Sequence, residues 1–365
     1  MTDERYRVDT IHAASLVGNP LGSPVERKLS IYLPPDYFKS AEIKYPVIYL
    51  LHGYDSNPNN LHIPVSLREK WNWIPPSILD QIDWSKTCDY GVLDKLIGHG
   101  ELNPFILVQP DGSLQLPDKD GTYDFFTGET RTKGSYYINS RHAGNYEDYI
   151  IRDIIQHVEA NYRTLNERRH RALMGVSMGG YGTLSILCHH ADKFAAGAAL
   201  SPAYITVDTH MLDWKLIVPM DEKLTDRATA EKSGAQLYED ILDTEDIVFS
   251  REKPLMPSVV RDGSGRAISW DKDAAAIWDN CDINRMATKY TGNLKQVALM
   301  MNCESSDEFG LAARTERIHT TFKQLGIKHE YEIYSDPAAA ALSAHLMGFL
   351  YHMLPAMRFC LSHVV

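Results

Sequence analysis

The chain has 365 residues, 44% of them hydrophobic, and carries 37 Lys and Arg against 48 Asp and Glu, a net charge of −11 at pH 7. That length and apolar content suit one elaborated domain around a large core, and the acidic balance offers no basic surface to neutralise phosphates or anionic lipid. Nucleic acid and membranes are therefore disfavoured as partners; a small, mostly uncharged molecule is expected, and self-association into a homo-oligomer is left open.

Taken in chain order, Met1 to Thr10 is charged and polar with no apolar centre, and no stretch approaches a membrane-spanning length, so a soluble, cytoplasmic protein is expected. Short apolar runs then recur at Leu29 to Leu33, Tyr45 to Leu51, Phe105 to Val108, Ala172 to Val176, Ala195 to Leu200, Gln296 to Met301 and Glu330 to Tyr334. Most are continuous rather than alternating, which predicts strands buried on both faces. Between Tyr146 and Tyr162, the residues Ile150, Ile151, Ile154, Ile155 and Val158 recur at helical spacing and mark an amphipathic crossover helix; Thr315 to Leu325 and Leu346 to Met357 behave alike. Strands alternating with helices predict an α/β fold, a mainly parallel sheet with helices on both faces, in a single domain over residues 1–365. Two stretches interrupt that alternation. Asp55 to Asp89 is rich in Asn, Pro and Trp, and Ala203 to Ala276 is long and charged, with Tyr204, Trp214, Tyr238, Phe249 and Trp270. The second is expected to be an inserted lid or pocket wall, with Trp214 and Trp270 shaping substrate choice.

The five cysteines, Cys88, Cys188, Cys281, Cys303 and Cys360, have no paired short spacing and read as buried thiols rather than a disulfide framework or a zinc site. No metal or other cofactor is expected.

The most informative stretch is Gly175-Val176-Ser177-Met178-Gly179-Gly180, set between an apolar run and a helix-like segment from Tyr181 to His190. A sharp strand-to-helix turn of this kind lifts one hydroxyl above the sheet edge, and glycines on either side leave room for the backbone. Ser177 is the candidate nucleophile. A serine hydroxyl needs a base within hydrogen-bond reach and a carboxylate to orient that base, in the chain order Ser, acid, His. The acid is expected in the loop after the strand ending at Met301, where Asp307 is the first choice and Glu304 its competitor. The base is expected after the last strand, where His345 comes first; His352 lies deeper in the final helix, His319 inside a helical pattern and His329 at the start of a strand. Two oxyanion donors complete the scheme: the backbone N–H of Met178, at the positive end of the following helix, and the backbone N–H of Tyr54, in the turn opened by His52 and Gly53.

With these residues in view, the chain resembles the putative esterase family of α/β hydrolases, which includes esterase D, S-formylglutathione hydrolases, feruloyl esterases and mycolyltransferases. The resemblance spans most of the chain. It rests on Tyr32-Leu33-Pro34-Pro35-Asp36-Tyr37, Tyr45-Pro46-Val47-Ile48-Tyr49-Leu50-Leu51-His52-Gly53-Tyr54, Gln109-Pro110-Asp111-Gly112, Ser135-Tyr136-Tyr137-Ile138-Asn139-Ser140, Gly175-Val176-Ser177-Met178-Gly179-Gly180-Tyr181-Gly182 and Leu200-Ser201-Pro202. It implies an α/β-hydrolase fold and a metal-free ester hydrolase that uses Ser177, Asp307 and a histidine after the last strand. By the same analogy Tyr137 and Asn139 border the active site. Two departures stand out. Asp336-Pro337-Ala338-Ala339 occupies the turn where the family commonly carries its histidine, and Ala203 to Ala276 is longer than in compact members. Acyl transfer to an alcohol or thiol, and a noncatalytic binding protein on the same scaffold, remain the alternatives to hydrolysis.

Overall fold

The computed structural model describes residues 4–54, 76–80, 82–115, 133–205, 244–245, 247–249, 259–261, 267–270, 276, 278–335 and 344–364. Eight strands build the central sheet: β1 (Tyr6–His12), β2 (Glu26–Tyr32), β3 (Val47–Leu51), β4 (Ile106–Pro110), β5 (Arg171–Val176), β6 (Ala196–Leu200), β7 (Ala298–Glu304) and β8 (Glu330–Tyr334). Their spatial order is β1-β2-β4-β3-β5-β6-β7-β8. β1 pairs antiparallel with β2 and β2 with β4, while every pairing from β4 through β8 is parallel.

The continuous apolar runs arise because the inner strands are covered twice. Along β3, Val47, Tyr49 and Leu51 enter one apolar cluster while Ile48 and Leu50 enter the other. The first cluster is closed by four helical elements. These are α2, which runs from Tyr146–Asp148 through a π-helical Tyr149–Ile154 into Ile155–Asn161, then α3 (Met178–His189), α4 (Ile283–Lys289) and α5 (Leu311–Leu325). The second is closed by α1 (Tyr90–Gly98) and the final helix α6 (Ala344–His363). Parallel strands 4.7–4.9 Å apart, as in any sheet, carry their carboxyl ends to one edge, and loops leaving that edge can converge.

Several boundaries differ from the sequence expectation. β1 is an added edge strand: Arg7 and Asp9 interrupt its apolar signal because most of its side chains face water. β7 does not stop at Met301 but continues through Asn302 and Cys303 to Glu304, since β8 supplies ladder partners that pair Cys303 with Ile333 and Glu304 with Tyr334. Glu304 therefore belongs to a strand end rather than to the loop. The final helix starts at Ala344, two residues before the expected Leu346, and runs past Met357 and through Pro355 to His363. All five cysteines are free; Cys281 is half-buried and the other four are buried. Among the described residues no helix is long and apolar enough to cross a membrane, and no group of His, Cys, Asp or Glu is arranged to hold a metal ion. Trp214 and most of the expected lid lie outside the described residues, whereas Val259–Arg261 and Ala267–Trp270 pair as a small antiparallel ribbon within it.

Candidate active site

Ser177 follows β5 directly and caps α3, with φ 54° and ψ −119°. A non-glycine residue held there costs about 1–3 kcal/mol, and such a conformation persists only where its surroundings over-determine it. Here they do. The Ser177 N–H donates to Leu200 O at 2.9 Å, and Ser177 O accepts from Ala203 N at 2.8 Å and from Tyr181 N at 3.0 Å. The flanking glycines are a steric demand: a Cβ on Gly175 would lie 2.2 Å from Gly179 O, and one on Gly179 would lie 2.2 Å from Leu51 O. The turn thus packs backbone against backbone and leaves the Ser177 side chain half-buried at the carboxyl edge of the sheet.

Asp307 stands three residues beyond β7 and is buried. Its Oδ1 accepts from Phe309 N at 3.0 Å and Leu311 N at 3.4 Å, which turns Oδ2 toward His345 Nδ1 at 2.7 Å. Contacts with Glu308, Phe309 and Asp307 help to hold His345. Its backbone N–H donates to Glu308 Oε2 at 2.9 Å, its ring packs edge-on against Phe309 at 4.9 Å, and Nδ1–H donates to the Asp307 carboxylate. With Nδ1 carrying the proton, a neutral ring has its lone pair on Nε2, the face a base must present. Glu304 goes elsewhere: its carboxylate accepts from Ser305 Oγ at 3.2 Å and from the Ser306 N–H. His352 stacks on Tyr334 with ring centroids 3.4 Å apart, and His319 contacts His329 at 2.8 Å on the α5–β8 side. Of the histidines considered from sequence, His345 is the one that meets the expected acid.

The turn that carries Tyr54 is built on a buried polar chain. His52 is 2% exposed; its Nδ1–H donates to Gly53 O at 2.8 Å and its Nε2 accepts from Gly112 N at 2.9 Å. Burial disfavours the imidazolium and holds His52 below the ordinary 6.5, although Asp111 Oδ1 lies 3.9 Å away. Asp111 in turn accepts from Ser113 Oγ and Gln115 Nε2, both at 2.5 Å, and lies 3.2 Å from the guanidinium of Arg27. Arg27 is fully buried and also donates to Asp111 O and Ser113 O. Tyr137 closes the chain by donating its hydroxyl to His52 O at 3.1 Å.

No short motif in the sequence encodes this network, although one signal for it exists. Arg27, Leu29 and Ile31 share the inward face of β2 at period two, so a charge at Arg27 is a charge in the core and needs a buried partner.

Tyr136 and Tyr137 both have positive φ, 54° and 55°. Tyr137 is fully buried, its ring so close to Gly112 and Gly182 that a Cβ on either would lie 2.1 and 2.7 Å from it. Asn139 exchanges hydrogen bonds of 3.0 Å with Asp148 and lines a cavity of about 350 Å³ that runs along α3 past Tyr181, Ser185 and His189, one to three turns from Ser177. Trp270 ends the small ribbon, and Met178, whose N–H opens α3, is buried. Gly134 fits between the two expected oxyanion residues: a Cβ there would lie 2.1 Å from Met178 Sδ and 3.0 Å from the Tyr54 ring.

A largely parallel eight-stranded sheet of this order, with a strained serine between β5 and α3 and a carboxylate–histidine pair beyond β7 and β8, defines an α/β hydrolase. The model of the family described as Putative esterase matches residues 23–82 and 93–335, which is most of the chain, and the chain belongs to that family. Among relatives, it is 27% identical over 176 residues to an endo-1,4-beta-xylanase/feruloyl esterase of Xylanibacter ruminicola, covering 47% of this chain and 19% of that one. It is 26% identical over 180 residues to an S-formylglutathione hydrolase of Arabidopsis thaliana, covering 47% and 50%. The match thus spans half or less of these relatives' length. Among solved structures, a ferulic acid esterase superposes with a TM-score of 0.55 at 18% identity over 97% of this chain and 96% of that one. An S-formylglutathione hydrolase from Agrobacterium tumefaciens does so with 0.53 at 13% over 100% and 98%. At such identities the superpositions speak for the fold.

Proposed function

We propose that the protein is a serine carboxylic-ester hydrolase acting on a small, mostly uncharged ester through an acyl-Ser177 intermediate. The Ser177 Oγ attacks the ester carbonyl as His345 Nε2 takes its proton, and Asp307 stabilises the imidazolium. The N–H groups of Tyr54 and Met178 receive the oxyanion. Collapse expels the alcohol, which leaves with the proton from His345, and water repeats the sequence on the acyl-enzyme to release the acid. The observation that carries this reading is the 2.7 Å contact between His345 Nδ1 and Asp307 Oδ2, two residues 38 apart in sequence, beyond the same sheet edge as Ser177. That contact also weighs against the noncatalytic alternative, which rested on the displaced histidine. The relatives named feruloyl esterase and S-formylglutathione hydrolase favour a feruloyl ester or a thioester as substrate. The test is a panel of nitrophenyl, feruloyl and thioester substrates run beside labelling by an organophosphonate. Stoichiometric modification of Ser177 with turnover of at least one ester class is expected, and an unlabelled Ser177 in a folded protein would overturn the proposal.

A further inference from the structure

The helical residues 244–245 and 247–249 come from inside the expected lid, yet they grip the segments that shape the oxyanion turn. Thr244 Oγ1 lies 2.8 Å from the hydroxyl of Tyr54. Glu245 Oε1 accepts from the Tyr136 hydroxyl at 2.5 Å, and Val248 O accepts from Ser140 Oγ at 2.5 Å. Phe249 packs against the rings of Tyr136, Tyr181 and Trp278, with centroids 5.2, 6.2 and 5.9 Å away. The two strained tyrosines link these grips. Tyr136 is held by Glu245, while its neighbour Tyr137 holds the carbonyl of His52, two residues before Tyr54. Tyr54 is thus fixed at the far end of its side chain by Thr244, along its ring by Gly134, and through the preceding backbone by Tyr137.

We infer that Thr244 and Glu245 are positioning residues, through which the insertion sets the oxyanion turn and so acts on the chemical step as well as on substrate choice. The inference rests on the esterase reading above, with Tyr54 N–H as a donor. An oxyanion donor works by preorganisation, so a turn released by a fraction of an ångström loses transition-state stabilisation while ground-state binding persists. Both residues sit where the segment is already folded on the core, since Thr244 is buried and Glu245 nearly so.

The experiment compares Thr244→Val with Thr244→Ser, Tyr54→Phe and the double variant Tyr54→Phe/Thr244→Val. Thr244→Val should lower kcat about tenfold with KM changed by less than about twofold, and Thr244→Ser should restore most of the loss. The double variant should be no slower than the slower single, because both remove one hydrogen bond. In parallel, deuterium uptake by backbone amides near residues 47–54 should rise about threefold or more in Thr244→Val and stay at the wild-type level in Thr244→Ser. An unchanged kcat, a loss confined to KM, or additive losses would overturn the inference. So would unchanged amide exchange, a measurement that requires no turnover and therefore judges the anchor even in a chain that hydrolyses none of the esters. That last outcome would instead sink the function proposed above.

Discussion

Asp307 and His345 meet through one side-chain contact between the β7 turn and the start of α6, whereas the turn that carries Tyr54 is tied into the core by Arg27, Asp111, His52 and Tyr137. The first pairing is made at the end of loops; the second is welded beneath a strand. Groups of the first kind are those proposed to carry the chemistry, so their substitution should read out chiefly in rate. Groups of the second kind are buried charges and hydrogen bonds, so their loss should read out in stability as well. The site therefore separates chemistry that sits on the fold from chemistry that is part of it.

The sharpest way to probe the groups proposed to carry the chemistry is Ser177→Ala, which should lower kcat about a thousandfold or more while a thermal melt stays within a few degrees of wild type. Near-normal ester turnover by the folded variant would break the comparison at its centre. His345→Ala should come next, nearly abolishing activity, while His352→Ala, whose ring stacks on Tyr334 instead of meeting Asp307, retains most of it. Asp307→Asn should then cost about a hundredfold or more in kcat and Glu304→Gln less than about tenfold. The reverse ranking, measured on one nitrophenyl ester, would transfer the acid's role to Glu304.

For the welded half, Arg27→Met strands the Asp111 carboxylate without its buried partner and should destabilise the fold by about 3–5 kcal/mol in urea unfolding. A loss under about 1 kcal/mol would show the two halves to be built alike. The smaller effect is on pH dependence. His52 has its folded value held below 6.5, chiefly by burial, so between those two values the unfolded chain binds more protons than the folded one. Stability contributed by neutral His52 is therefore fully present above 6.5 and is lost as pH falls from there toward the folded value. His52→Asn should flatten that part of the pH–stability curve relative to wild type, and identical slopes would remove His52 from the account. Smallest of all, Trp214→Ala or Trp270→Ala should shift KM between short and bulky esters by a few-fold, about 1 kcal/mol of selectivity. Unchanged selectivity in both would leave the insertion only the positioning role inferred for Thr244 and Glu245.

The parts of this protein that its sequence determines are those whose information is local. A strand, Gly175-Val176-Ser177-Met178-Gly179 and a helix follow one another along the chain, so Ser177 is legible before any tertiary structure is known, although Leu51, Leu200 and Ala203 complete the packing of its turn. The apolar runs of β3 through β6 are legible for the same reason, since burial on both faces favours hydrophobic residues along most of each strand. The competition between Asp307 and Glu304 is different. Pairing with β8 draws Glu304 into a strand end, and the amides of Phe309 and Leu311 aim Asp307 at a ring 38 residues downstream. Neither propensity nor spacing contains that choice. The same holds for Arg27 and Asp111, 84 residues apart, and for Tyr54 and Thr244, 190 apart, where a polar group acquires its role only from the group the fold brings within hydrogen-bond distance. A hydrogen bond acts over about 3 Å, whereas the chain records only order along itself, so those pairings exist only once the sheet has closed.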